Sequence, residues 1–74
     1  MCDIKKELKE RAILLRVMTN ALGYDVEYVF TDIKNFDLVC LDESLREAKD
    51  TMQKLTDNVK EIEYLLYLMN ETSR

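Results

Sequence analysis

From Leu41 to Met69 apolar residues recur at alternating steps of four and three: Leu41, Leu45, Ala48, Met52, Leu55, Val59, Ile62, Leu66 and Met69. A 3.5-residue apolar repeat matches the turn of a helix that packs along another helix with a left-handed twist. The repeat predicts one long helix over residues 42–70, roughly 40 Å from end to end at 1.5 Å per residue. Asp42 or Ser44 is suited to cap its start, and Ser44 with Glu47 three residues later has the form of a capping box. The residues flanking the seam are Ser44, Lys49, Thr51, Thr56, Asn58, Glu63 and Leu65, most of them small or uncharged. A free-standing coiled coil usually carries complementary charges there, so the flanks favour a bundle. The charges lie on the back, at Glu43, Arg46, Glu47, Asp50, Lys54, Asp57, Lys60 and Glu61, and read as a solvated face.

The chain has no proline and one glycine, Gly23, which permits long uninterrupted elements. Residues 3–22 read as a first helix. Ile4, Leu8, Leu15, Met18 and Leu22 form one stripe, interrupted by Arg11, and Ile13, Val17 and Ala21 form a second. Asp3 suits the helix start and Gly23 a helix C-cap. Between the helices, Tyr24, Val26, Tyr28 and Phe30 alternate with polar residues, and Phe36, Leu38 and Cys40 repeat the pattern. Period-two alternation of aromatic and β-branched residues predicts a β-hairpin over residues 24–41. The spacing of Val26, Val29, Ile33, Phe36 and Cys40 also fits a short helix, and no Asn-Gly or Asp-Gly turn is present. The expected fold is therefore α+β and mostly helical: helix, β-hairpin, long helix, with the helices antiparallel in a single small domain. An all-α three-helix bundle is the alternative.

Seventy-four residues make one domain at most, and chains this short commonly need a metal, disulfides or association to be stable. With no histidine and two cysteines, neither a metal site nor a disulfide framework is expected. Cys2 reads as a terminal thiol and Cys40 as a small buried hydrophobe. The chain lacks the glycines of a phosphate loop, and its serines have no histidine to activate them. Asp32, Asn35 and Asp37 lack a calcium-loop pattern and read as turn residues. No enzyme activity and no cofactor is expected. No apolar run is long enough to span a bilayer, so a cytoplasmic protein is the default expectation.

The net charge of −4 speaks against general nucleic-acid binding. Lys5, Lys6, Lys9 and Arg16 give the first helix some basic character, but Glu7 and Glu10 lie among the lysines. The widest departure from the helical pattern is at the end of the long helix. There Tyr64, Tyr67 and Leu68 replace back-face charges, and with Leu65, Leu66 and Met69 they make the helix apolar all round. Such a patch on an otherwise charged surface points to an interface. The expected interface residues are Tyr64, Leu65, Tyr67, Leu68 and Met69. The acidic Asp32, Asp37, Asp42 and Glu43 are suited to steer a basic protein partner.

The expected order helix, hairpin, helix resembles the layout of prefoldin β-type subunits. The run LREAKDTMQKLTDNVKEIE, Leu45 to Glu63, is similar in texture to their second helix. That resemblance implies a chaperone subunit, although the first helix is shorter than a prefoldin tentacle and the hairpin lacks that family's glycine. In size and style the chain also resembles small phage-encoded inhibitors, including some anti-CRISPR proteins. The function expected from the residues is an acidic, non-enzymatic protein–protein interaction module, a homo-oligomer acting as inhibitor or adaptor. Two further readings stand beside it. One is an oligomer that sequesters a nucleotide-like molecule between tyrosine-bearing subunits. The other is a nucleic-acid-associated regulator working through the first helix.

Overall fold

A computed structural model describes residues 2–72. They form two helices, α1 (Cys2–Lys34) and α2 (Leu38–Thr72), joined by a three-residue turn. Hydrogen bonds tie Asp32 to Ser44, Asp25 to Thr51 and Arg11 to Asn58, so the helices run antiparallel as one hairpin. The molecule is a rod of 56 × 15 × 13 Å with a radius of gyration of 16.8 Å. A compact chain of this length has a radius of gyration of about 11 Å.

The expected β-hairpin is absent, and so is a third helix: residues 24–34 continue α1 and residues 38–41 begin α2. The physical reason lies in the inward line of α1. The steps of four and three run on across Gly23, through Leu22, Asp25, Val29 and Asp32, all partly buried. Kept helical, Asp25 and Asp32 meet hydroxyl donors on α2, and that pairing outweighs the strand preference of Tyr24, Val26, Tyr28 and Phe30. Gly23 is not a C-cap. It sits inside α1 without a positive φ.

The true C-cap is at Phe36, which adopts φ 56°. The Asp37 N–H donates to the Asp32 carbonyl at 2.9 Å, and the Phe36 N–H donates to the Ile33 carbonyl at 3.1 Å. These two bonds define a Schellman motif with Phe36 at the left-handed position. Asp37 then caps α2. Its carbonyl accepts from the Leu41 N–H at 3.0 Å, and its Oδ1 accepts from the Cys40 N–H at 3.2 Å. One turn thus closes both helices. Asp42 and Ser44, expected as caps, lie inside α2. Asp42 pairs with Arg46 on the surface, and Ser44 turns toward α1.

The long seam is only half correct. Leu41, Leu55, Ile62 and Met69 are partly buried and Ala48 is buried, as the spacing demands. The second inward line, however, is Ser44, Thr51, Asn58 and Leu65. Leu45, Met52, Val59 and Leu66, one residue further along in each case, are exposed. Among the described residues the buried apolar side chains are Ala48 and Leu65, at 6% and 5% exposure. The hairpin interface is narrow, and three of its layers are polar.

Candidate functional surfaces

The polar layers settle which face of each helix turns inward. The Ser44 hydroxyl donates to Asp32 Oδ2 at 2.6 Å, and the Thr51 hydroxyl donates to Asp25 Oδ2 at 2.7 Å. Asn58 is 2% exposed. Its Nδ2 donates to the Arg11 carbonyl at 3.1 Å, and its Oδ1 accepts from Arg11 Nη1 at 3.3 Å. Among the described residues no buried side-chain polar atom lacks a partner. Buried polar pairs of this kind fix register more than they add stability. They also commit Ser44, Thr51 and Asn58 to the interior, which turns their apolar neighbours outward.

Three apolar surfaces result. The first is the turn end, where Phe30, Ile33, Phe36, Leu38 and Val39 are all exposed, Phe36 at 79% and Val39 at 81%. All four residues expected to steer a basic partner, Asp32, Asp37, Asp42 and Glu43, belong to this end. Residues 30–43 hold those four acids and one base, Lys34. Asp37, Asp42 and Glu43 are exposed, and Asp42 pairs with Arg46, whereas Asp32 is partly buried and accepts from Ser44. Cys40, expected to be buried, is here an exposed free thiol. The Cys40 backbone N–H and its thiol both hydrogen-bond to Asp37 and hold the Asp37 carboxyl below its ordinary value. In turn, the Asp37 carboxylate pushes the Cys40 thiol above its ordinary value.

The second surface is the open end. The expected patch divides there. Leu65 is buried against α1, and Leu68 and Met69 are partly buried. Tyr64 and Tyr67 face outward at 55% and 58% exposure. The apolar widening at Tyr64–Met69 therefore serves two faces, one inside the hairpin and one outside. The basic start of α1 also lies at this end. Residues 1–16 carry five basic and three acidic side chains, and residues 57–74 carry two and four. Within the described residues the antiparallel pairing sets the basic start of α1 beside the acidic end of α2, which blunts the basic character of α1.

The third surface is the flank carrying Leu45, Met52, Val59 and Leu66, which the apolar spacing alone assigns to the interior. What marks it in the sequence is the polarity of the preceding residues, Ser44, Thr51 and Asn58, matched by Arg11, Asp25 and Asp32 on α1.

Tyr24 and Tyr28 lie four residues apart on α1 and are exposed. The depressions near them, lined by Thr19, Asn20, Gly23, Tyr24 and Glu27, and by Tyr28, Asp32, Cys40, Glu43, Ser44 and Glu47, are open surface features. Among the described residues no cluster of Cys, Asp and Glu is arranged to hold a metal ion. None of the helices there is long and apolar enough to cross a membrane. No family model, curated protein or solved structure matches this chain.

Proposed function

We propose that this chain is a non-enzymatic protein–protein interaction module, acting as an inhibitor or adaptor, whose turn end engages a basic protein surface. The observation that carries this reading is Phe36. It occupies the left-handed C-cap position that glycine fills at little cost, yet it bears a large side chain 79% exposed. A strained backbone that displays an aromatic ring to solvent is a reason to look for a binding role. Phe36 shares the turn end with exposed Leu38 and Val39 and with the exposed acids Asp37, Asp42 and Glu43, while Asp32 is partly buried and held by Ser44. Apolar anchors in an acidic rim suit a pocket bordered by lysine and arginine, where the charge hastens encounter and the apolar groups hold.

The test places a photo-crosslinking amino acid at Val39 and, as a control, at Tyr67. Crosslinked products from the source cell are identified by mass spectrometry. The reading expects a defined protein with a basic contact surface to be joined at position 39. It also expects yield to fall at least tenfold with Phe36→Gly or with Asp42→Lys/Glu43→Lys, helicity being retained. A product independent of both variants, or formed only from position 67, would overturn it.

A further inference from the structure

We infer that the exposed flank of the hairpin is covered by a second copy of this chain, giving a dimeric four-helix bundle. This goes beyond the partner-binding turn end and stands whether or not that end binds anything. The flank is continuous across both helices. On α2 it consists of Leu45, Met52, Val59 and Leu66, each directly following an inward residue and 37–54% exposed. On α1 the residues following the inward Arg11, Met18, Asp25 and Asp32 are Ala12, Thr19, Val26 and Ile33, all exposed. Because the helices are antiparallel, the position after such an inward residue falls on the same side of both. These two lines therefore form one broad face about as long as the paired part of the hairpin.

From Ala12 to Ile33 and from Leu45 to Leu66 no residue in the two lines is charged; the one charge comes at the open end, where Lys5 follows the partly buried Ile4. The opposite flank, formed by the residues before the other inward line, is mixed: Glu7, Glu47, Lys54 and Glu61 stand among Leu14, Ala21, Tyr28, Cys40 and Leu68. The hairpin is thus asymmetric: one side is uncharged over most of its length and largely apolar, and the other has charges spaced along it. A helix whose apolar face takes in a third line beside the two of a simple seam is the pattern of a bundle core.

Area identifies the occupant. The chain exposes 6141 Å², whereas a folded monomer of 8.8 kDa exposes about 4,800 Å². The excess of about 1,300 Å² exceeds the roughly 800 Å² per partner of a standard stable interface. An identical hairpin offers a face of the same length and the same apolar character, charged only where Lys5 ends the α1 line. Two-fold association is the usual solution for a self-complementary face. It would also bury side chains that the narrow, polar-layered hairpin interface leaves in water.

The test is sedimentation equilibrium of the full chain with Met52→Lys/Val59→Lys, its counterpart Met52→Glu/Val59→Glu, and the opposite-flank control Val17→Lys/Tyr28→Lys. The expected mass of the unaltered protein is twice the 8.8 kDa of one chain, and the control keeps it. Each double substitution on the flank weakens association on the order of 100-fold or more, because buried like charges meet across it. To separate loss of association from loss of folding, the lysine and glutamate variants are also mixed. The inference expects the mixture to restore a folded dimer through opposite charges. A monomeric unaltered protein at 100-fold dilution steps up to about millimolar, a dimer that survives the flank substitutions, or dissociation by the control pair overturns it.

Discussion

Asn58 and Arg11 hold each other twice across the hairpin: the Asn58 amide donates to the Arg11 carbonyl, and the Arg11 guanidinium donates back to the Asn58 amide oxygen. This reciprocal pair is the most buried polar contact described, and it lies toward the open end, far from the turn. The turn fixes the alignment of the helices at one end, and Asn58 fixes it at the other. Asn58→Ala removes both bonds and leaves a gap at a position 2% exposed. Unfolding by urea is expected to show a loss of about 2 kcal/mol. Asn58→Leu is expected to lose less, since an apolar residue fills the layer, but to broaden amide resonances around Arg11 as alternative alignments become populated.

Two backbone positions are filled in the reverse of the usual way. Gly23 lies in mid-helix, and a methyl group added there meets nothing within 4 Å. Gly23→Ala is expected to raise stability by about 1 kcal/mol. Phe36, at φ 56°, stands where glycine is preferred, and Phe36→Gly is expected to raise stability by about 1 kcal/mol as well. Thermal unfolding checks both. A loss of stability in Gly23→Ala would mean that α1 ends at residue 23, as the sequence alone suggested.

The contrast between these two residues shows how far the sequence could be read. The long helix was legible because its spacing is regular, and Leu41, Ala48, Leu55, Ile62 and Met69 do face inward. The middle segment was misread because Tyr24, Val26, Tyr28 and Phe30 alternate as a strand does, and the one glycine looked like a helix end. What decides the matter is pairing between distant residues, Asp25 with Thr51 and Asp32 with Ser44, and neither helix announces its partner alone. The same blindness turned the second inward line by one residue. Hydrophobicity favours Leu45, Met52 and Val59 over Ser44, Thr51 and Asn58, while the polar residues of α1 reverse the choice. The acidic residues of the turn were recognised as a group, although not as the end of a rod. The apolar patch at Tyr64–Met69 was recognised too, but only the structure divides it into inward Leu65 and outward Tyr64 and Tyr67.

That division is open to a direct comparison. Leu65, at 5% exposure, is expected to cost about 3 kcal/mol when changed to alanine, through lost burial and a residual cavity. Tyr67→Ala, at a site 58% exposed, is expected to change stability by less than about 0.5 kcal/mol. Denaturant midpoints at fixed protein concentration separate the two. Equal losses would show that Tyr67 is also covered.

Asp37 and Cys40 predict a link between pH, capping and thiol reactivity. The folded Asp37 carboxyl lies below its ordinary value because the Cys40 N–H and thiol bind its charged form. Its contribution to stability is therefore present above the ordinary carboxylate value and is lost as pH falls through the lower folded value. Asp37→Asn is expected to flatten that part of the acid-unfolding curve. The Cys40 thiol is raised by the same carboxylate, so at neutral pH it holds less thiolate than a free cysteine. Alkylation of Cys40 by iodoacetamide, followed by mass spectrometry, is expected to be slow despite its exposure and faster in Asp37→Asn.

The central claim is that a hairpin with a narrow, polar-layered interface is completed by a second copy on its largely apolar flank. Helix content at 222 nm, followed on heating over a 100-fold range of protein concentration, tests this most directly. Where folding and association are coupled, the midpoint depends on concentration. The account predicts a midpoint that rises steadily with concentration in the unaltered protein and in Val17→Lys/Tyr28→Lys. A single cooperative midpoint that stays fixed across the whole range would contradict it, because the hairpin would then be stable alone with its flank in water.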